Sequence, residues 1–201
     1  MKEVFLVISS LRCIPHVFMF LITKNKNMII ADRDRWLDIM EIKHKGIPGL
    51  LYLLTFKTEY RNLFYYRIGK VGYILNVLCP KEKTLYIHTK TIGEGLFIQH
   101  GFATIISAHA IGRNCWINQQ VTMGFCLKGK SPTILDNVKI SAGAKVFGGI
   151  TIGENSTVGA NAVVVKNVPK NCVVVGVPAY IIKQDGLKVD KSIITPVSLD
   201  N

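Results

Sequence analysis

The chain has 201 residues, of which 49% are hydrophobic and 19% charged, and its formal net charge is +12. This length and composition fit one domain, or one domain with a small appendage, and leave enough apolar mass for a core. The sequence has no zinc-finger or helix-turn-helix spacing, which disfavours a nucleic-acid partner. The diffuse positive charge suits another anionic partner, such as a phosphorylated cofactor, an acidic glycan or a membrane surface.

The cysteines are odd in number and widely spaced. They are Cys13, Cys79, Cys115, Cys126 and Cys172. No CxxC pair and no metal-ligand cluster occurs. This pattern predicts reduced thiols in the cytoplasm, without a disulfide framework and without a bound metal.

The apolar N-terminal segment VFLVISSLRCIPHVFMFLI, residues 4–22, allows two interpretations. It contains Arg12, Pro15 and His16 near its middle, where a charge is costly in lipid, so a membrane span is disfavoured. It also lacks a small-residue cleavage site. The first interpretation is a buried helical hairpin of a soluble N-terminal domain. The second is a peripheral contact of residues 1–24 with the inner face of a membrane.

Residues 1–80 have the pattern of a helical region. In DRDRWLDIMEIK the apolar residues recur at helical spacing, and Asp32 is placed to cap the start of that helix. A second apolar stripe predicts a buried aromatic face, with Arg61 and Arg67 directed elsewhere. Its members are Tyr60, Leu63, Phe64 and Ile68.

From residue 85 onwards, aliphatic residues recur every six positions, a period that no helix or ordinary strand has. The main series is Ile134, Ile140, Val146, Ile152, Val158 and Val164. A second series of small or branched residues is Val138, Ala144, Ile150, Ser156, Ala162 and Val168. Upstream the period continues at Ile92 and Ile98 and then, after a slip of one residue, at Ile105, Ile111, Ile117 and Met123.

This period predicts a parallel β-helix. A chain that turns by a third of a circle every six residues makes a triangular coil of about eighteen residues, and stacked coils pair their short strands in parallel. One aliphatic residue per side points inwards, and Gly, Asn or Asp occupy the corners. Residues 125–132, FCLKGKSP, have no aliphatic in register and are predicted to form an inserted loop.

The segments IGEGLFIQHG, IGRNCWINQQVTMG and VVGVPAYIIK, together with the repeat between the last two, resemble the hexapeptide acyltransferases. Within that family the chain is similar to the serine acetyltransferase branch, including members thought to acetylate polysaccharides. The resemblance covers about residues 85–183 and leaves residues 184–201 as a tail. It implies a mainly β fold, a left-handed parallel β-helix after an α-helical N-terminal region. It also implies a homotrimer with active sites between subunits, and acetyl-CoA as the acyl donor.

The resemblance also implies roles for single residues. His100, in IQHG, matches the catalytic general base, which takes the proton of an attacking hydroxyl. Ala142 and Ala160 match positions that line the acetyl-CoA groove between coils. Lys166 and Lys183 match basic residues near the phosphates of acetyl-CoA.

Three departures from the serine acetyltransferase pattern bear on the acceptor. Gln99 stands where that branch has an aspartate, and Lys130-Ser131 replaces an Arg-His pair that grips the carboxylate of serine. Leu85 occupies the position of an acid that orients the histidine. We therefore expect an O-acetyltransferase that acts on a sugar or glycan precursor, with Gln99 contacting the acceptor. A serine O-acetyltransferase is the alternative, and an inactive β-helix scaffold is a second alternative.

Overall fold

The computed structural model describes residues 11–125 and 129–189, and the chain divides into two compact units. The described part of the helical unit comprises residues 11–83 and 94–97, and that of the β-helix unit comprises residues 84–93, 98–125 and 129–189. Among these residues, no helix has the length and apolarity needed to cross a membrane. Residues 4–10 of the apolar N-terminal segment lie outside the described ranges.

A 3-10 turn, Leu11–Cys13, opens the helical unit. The α-helices that follow it are α1 (Ile14–Ile22), α2 (Lys26–Ile39), α3 (Gly46–Phe56), α4 (Thr58–Ile68) and α5 (Val71–Leu75). Residues 40–45 connect α2 to α3, and Gly46 at the start of α3 has a φ of +61°, a left-handed conformation that favours glycine.

Helix α4 is buried on more sides than its apolar stripe predicts. Its aromatic face lies in the core as expected, but Arg61 and Arg67 are buried as well. Arg61 Nε donates a hydrogen bond to the Leu54 carbonyl at 2.6 Å, and its Nη2 donates to the Thr55 carbonyl at 2.7 Å. A guanidinium has five N–H donors, and these carbonyls offset the cost of removing them from water.

Asp32 lies inside α2, so the prediction that it caps the helix is wrong. Its carboxylate is 1% exposed and accepts hydrogen bonds from Arg67 Nε at 2.8 Å and from the Gly95 backbone N–H at 2.6 Å. Burial raises the pKa of this carboxyl, and the hydrogen bond from Arg67 opposes the rise. Asp32 therefore forms a buried ion pair with Arg67 instead of a helix cap.

Helix α1 places His16 on its buried side. The His16 Nε2 lies 2.9 Å from the Tyr65 hydroxyl, which donates to the Cys79 carbonyl at 2.6 Å. Burial, with a smaller contribution from the charge of Arg61, lowers the pKa of His16 from 6.5 to about 4. The folded chain therefore holds this imidazole neutral at pH values where the unfolded chain protonates it.

The strands are short and number sixteen in the described residues. They are β1 (Leu85–Ile87), β2 (Thr91–Ile92), β3 (Phe97–Gln99), β4 (Thr104–Ile106), β5 (Ala110–Ile111), β6 (Trp116–Asn118), β7 (Thr122–Gly124), β8 (Thr133–Ile134), β9 (Lys139–Ile140), β10 (Lys145–Phe147), β11 (Thr151–Ile152), β12 (Thr157–Val158), β13 (Val163–Val164), β14 (Cys172–Val175), β15 (Tyr180–Gln184) and β16 (Leu187–Lys188).

Every third strand joins the same sheet, which is the topology of a three-sided coil. Sheet A has the order β1-β4-β7-β10-β13, and sheet B has the order β2-β5-β8-β11. Sheet C has the order β3-β6-β9-β12-β14-β15-β16. Among the strands of the described residues, the coils pair in parallel, and only the hairpins β14-β15 and β15-β16 are antiparallel. The predicted β-helix is confirmed, and β16 lies within the predicted tail.

The main aliphatic series fills the interior as predicted. Its six members are all 2% exposed or less, and the register stacks Ile117 on Ile140 and Ile140 on Val158. In the second series Ile150 is half-buried and the other members are buried. Inward aliphatic side chains of successive coils therefore form the core of this unit.

One residue that the six-residue period predicts to face inwards does not do so. Ile105 is 39% exposed, whereas Ile106 is 0% exposed and pairs with Met123 of the next coil. The inward residues Ile98 and Ile106 are eight positions apart, against six for Ile117 and Met123 in the next coil. The extra residues enlarge the corner between β3 and β4, so the phase of the repeat shifts there.

Asparagine residues occupy the corner between sheets B and C. Asn137, Asn155 and Asn171 have φ between +57° and +60°, which asparagine tolerates better than most residues. Asn137 Nδ2 donates to the Asn155 Oδ1 at 3.0 Å, and Asn155 Nδ2 donates to the Asn171 Oδ1 at 3.0 Å. Asn171 Nδ2 donates in turn to Asp185 Oδ1 at 2.8 Å. This ladder ties successive coils together at their edge.

The phase shift can be tested with two neighbouring substitutions. We expect Ile106→Ala to lower the free energy of unfolding by about 2–5 kcal/mol, because it leaves a cavity between coils. The matched control Ile105→Ala removes an exposed side chain and is expected to change it by about 0.5 kcal/mol or less. Urea titrations followed by circular dichroism measure both. Equal losses in the two variants would contradict the register.

The burial of His16 predicts acid sensitivity. Because the folded-state pKa lies below the unfolded one, stability is complete above about pH 6.5 and falls as the pH drops towards about 4. We expect a total loss of about 3 kcal/mol across that window. Urea titrations over that pH range should show a weaker pH dependence for His16→Gln. They should show the wild-type dependence for His109→Gln, which removes an exposed imidazole. A variant His16→Gln with the wild-type dependence would refute the assignment.

Candidate active site

The corner between sheets C and A stacks three side chains in one column, which we call the corner column. The pairing of Ile117, Ile140 and Val158 places Gln119, Ala142 and Ala160 at equivalent positions of successive coils, two residues further on. Backbone hydrogen bonds connect these turns, from the Gly143 N–H to the Gln119 carbonyl at 3.0 Å and from Asn161 N–H to the Ala142 carbonyl at 2.9 Å.

His100 lies at the same corner, one coil before the corner column. The order of sheet C places the turn after β3 one coil before the turn after β6. The Gln120 N–H donates to the Phe102 carbonyl at 3.0 Å, so Phe102 is the equivalent of Gln119 and His100 lies two residues earlier in the enlarged turn. At about 4.8 Å per coil, His100 and Ala160 lie about 14 Å apart along the corner. The structure therefore brings the predicted base and both predicted groove residues to one edge of the β-helix unit.

The backbone presents the His100 side chain to solvent. The residue is exposed, and its φ of +54° places it at a sharp turn, which the Phe102 N–H closes by donating to the His100 carbonyl at 2.6 Å. Within residues 11–125 and 129–189, no hydrogen bond to another side chain holds the ring. Leu85 is 2% exposed and lies in the core. The imidazole is thus accessible to a hydroxyl group.

Gln99 precedes His100 and is held by a residue that the sequence analysis missed. Asn118 Nδ2 donates a hydrogen bond to Gln99 Oε1 at 3.1 Å. The N–H groups of Gln99 can then donate hydrogen bonds to the substrate that accepts the acyl group. Asn118 follows Gln99 by nineteen positions, about one coil, and this spacing is the signal that could have identified it.

Two amide oxygens beside His100 are poised to accept hydrogen bonds. The Oδ1 of Asn118 and the Oε1 of Gln119 are buried, and neither has a hydrogen-bond partner among the residues that the structure describes. Buried polar atoms are nearly always paired, so unpaired acceptors next to an exposed imidazole favour a ligand with donor groups. Gln119 was also missed, although it lies one coil after His100.

The structure does not bring the two predicted phosphate contacts into the corner column. Lys166 follows β13 at the corner between sheets A and B, and its side chain is exposed. Lys183 is exposed in β15, where it pairs with Val173 of β14. The described residues contain no group of three or more side chains that could hold a metal ion.

Comparisons with known proteins give concordant results. The profile of the family described as bacterial transferase hexapeptide (six repeats) matches residues 131–166. A serine acetyltransferase of Synechococcus elongatus is 48% identical over 148 residues, which cover 71% of this chain and 60% of that protein. One from Staphylococcus aureus is 48% identical over 105 residues, covering 50% of this chain and 49% of that protein.

Solved structures of serine acetyltransferases share the fold. The enzyme from Brucella abortus has a TM-score of 0.65 at 26% identity, covering 80% of this chain and 69% of that one. The Neisseria gonorrhoeae enzyme in complex with serine has a TM-score of 0.63 at 28% identity, covering 79% and 69%. This chain is similar to the serine acetyltransferase branch of the left-handed β-helix hexapeptide acyltransferases. It spans 60% and 49% of the lengths of the two curated relatives named above.

Two of the three departures from the serine acetyltransferase pattern fall at corners, whereas Leu85 lies in β1. Gln99 lies beside the corner column, whereas Lys130 and Ser131 belong to the insertion at the corner between sheets A and B. A Cβ atom added to Gly149 would lie 2.8 Å from the Cβ of Lys130, so the end of the insertion lies against Gly149. Within one subunit, Lys130 and Lys166 therefore share a corner that does not hold His100.

Proposed function

We propose that this chain is an acetyl-CoA-dependent O-acetyltransferase whose acceptor is serine. The observation that carries the proposal is the exposed imidazole of His100 at the corner that also holds the corner column, in a chain 48% identical to a serine acetyltransferase over 148 residues. The relatives are named for serine, so they favour the alternative acceptor over the sugar or glycan expected from the sequence departures. No finding supports a role in polysaccharide synthesis.

His100 is the proposed general base. Its neutral imidazole takes the proton of the serine hydroxyl as that oxygen attacks the thioester carbonyl of acetyl-CoA. The new C–O bond forms, the negative charge on the carbonyl oxygen collapses, and the C–S bond breaks. The imidazolium returns the proton to the departing thiolate, so the products are an acetyl ester and free CoA.

The polar groups beside His100 suit a zwitterionic acceptor despite the missing aspartate. The Asn118 and Gln119 side-chain oxygens are the proposed acceptors for the serine ammonium group. The N–H groups of Gln99 are the proposed donors to its carboxylate, because the Gln99 oxygen already accepts from Asn118. Together these groups replace charged contacts with neutral amides, which predicts weaker serine binding than a charged clamp provides.

The acyl donor is proposed to lie along the corner column. Ala142 and Ala160 have small side chains there, which leave room for an extended pantetheine arm between stacked coils. Lys183 lies beyond β14, at the end of sheet C away from His100, and is the proposed phosphate contact together with Lys166. An ammonium group attracts a phosphate electrostatically, and the pair is strengthened by hydrogen bonding.

A homotrimer would unite the two corners. Lys130 and Lys166 lie at a different corner from His100 in one subunit, so a site that uses all three needs a second copy of the chain. Three prisms around an axis can place the corner between sheets A and B of one copy against the corner column of the next. We place the enzyme in the cytoplasm, and the free thiols of Cys13, Cys79, Cys115 and Cys172 support this.

The acceptor can be tested with purified protein and acetyl-CoA. Release of CoA thiol, followed with a thiol-reactive dye, is expected with L-serine and not with D-serine or with nucleotide-linked sugars. Release with a sugar alone would replace serine by the glycan acceptor. Absence of release with every acceptor, together with no acetyl-CoA binding in calorimetry, would support the scaffold alternative.

His100 itself can be tested by substitution. We expect His100→Gln to lower kcat by about a hundredfold or more, because the hydroxyl loses its proton acceptor, while acetyl-CoA binding stays within about twofold. The matched control His88→Gln removes another exposed imidazole and is expected to retain wild-type kcat. Normal turnover in the first variant would reject His100 as the base.

A further inference from the structure

One face of the first helix is apolar and exposed to solvent. Leu11 is 67% exposed, Ile14 and Phe18 are each 60% exposed, and Leu21 and Ile22 are 48% and 59% exposed. At about 100° per residue, these positions fall within about 100° of one another around the helix. We call these five residues the apolar stripe. Cys13, His16 and Phe20 of the same segment are buried on the opposite side.

A second exposed apolar segment adjoins the start of the apolar stripe. Its members are Tyr73, Ile74, Val77 and Leu78, of which Val77 is 80% exposed. The Sγ atoms of Cys13 and Cys79 lie 3.6 Å apart, so the turn before α1 contacts the residue that follows this segment. The two segments are therefore close to each other in the helical unit.

Cations flank the apolar stripe, and acids are absent from its part of the sequence. Residues 11–31 contain no Asp or Glu, and their charged residues are Arg12, Lys24 and Lys26. Arg12 precedes α1, and Lys24 and Lys26 follow it. The Nζ of Lys26 lies 5.6 Å from the centre of the Phe20 ring, so this lysine remains close to the end of the helix. Both ends of the stripe thus carry positive charge.

We propose that the apolar stripe docks on the surface of an anionic lipid bilayer. The stripe would enter the region between headgroups and acyl chains, while Arg12, Lys24 and Lys26 meet lipid phosphates. Helix α1 has nine residues, about half the length needed to span a bilayer, so it would lie in the plane of the surface. The proposal does not depend on the acyl-transfer reaction, and it takes up the second interpretation of the N-terminal segment.

Charge argues for lipid over a second copy of the chain. Two stripes packed in antiparallel fashion would place Arg12 of one copy beside Lys24 and Lys26 of the other. Two stripes packed in parallel would align identical cations. Both arrangements bring like charges together, whereas an anionic bilayer neutralises them. The net charge of +12 also favours an anionic surface over a second copy of the chain.

The test is co-sedimentation of the full chain with vesicles. Vesicles of phosphatidylcholine with about one third phosphatidylglycerol are expected to carry the protein down at low salt, and vesicles of phosphatidylcholine alone to carry much less. Phe18→Gln should lower the partition coefficient about tenfold, because an amide replaces an aromatic side chain that the bilayer would bury. The matched control Leu187→Gln, at a position 75% exposed in the β-helix unit, should leave it unchanged.

A second pair of variants tests the charge contribution. Lys24→Gln should lower binding to the anionic vesicles about fivefold, because each cation near such a surface contributes attraction. Lys188→Gln, an exposed lysine of β16, should have little effect. Equal binding of wild-type protein to neutral and anionic vesicles would overturn this role of the cations.

Three outcomes would overturn the membrane proposal as a whole. The first is wild-type protein that stays in the supernatant with anionic vesicles, and the second is Phe18→Gln protein that still sediments fully. The third is Phe18→Gln protein whose mass in light scattering is lower than that of the wild type, without vesicle binding by either. That result would make the apolar stripe a subunit interface. Circular dichroism checks that each variant is folded, which we expect because Phe18 is exposed.

Discussion

The inward stacking of one aliphatic side chain per side of each coil is the constraint on which the β-helix unit depends. An inward residue such as Ile140 has neighbours only in the same coil and in the coils above and below it. Its strand must therefore pair in register with the strands of those coils, as Ile117, Ile140 and Val158 do. A slip of one residue would turn the aliphatic side chain outwards and bring a polar one into the core.

This constraint leaves the corners as the places where sequence can vary. Small or branched side chains predominate in the interior, whereas a corner residue contacts solvent and its equivalents in adjacent coils. The corner between sheets B and C uses that freedom for an asparagine ladder, and the corner between sheets C and A carries His100 and Gln119. The corner between sheets A and B accommodates the insertion. The asparagine ladder, the candidate site residues and the insertion thus lie at three different corners.

The helical unit differs from the β-helix unit in the kinds of side chain that it buries and exposes. It buries ionisable groups, with Asp32 paired to Arg67 and His16 held next to Tyr65, and it exposes apolar side chains along α1. Buried charges that are paired and hydrogen-bonded specify how helices meet, because each group loses much when its partner is displaced. An exposed apolar stripe gains nothing from folding and indicates a surface that another molecule covers. We therefore propose separate roles for the two units, one for the chemistry and one for contact with a membrane.

The sequence by itself determined the type of fold and the predicted base. A six-residue aliphatic period is a property of the chain alone, since it follows from how often the backbone turns, and His100 stands in a motif with its own spacing. Only the tertiary structure decided which residues join His100. Asn118 and Gln119 join the candidate site because coils stack, and Ile106 replaces Ile105 inside because the preceding corner is longer. Asp32 looked like a helix cap because local spacing does not reveal Arg67, thirty-five residues away. Periodicity is local, whereas partners depend on register and packing between distant segments.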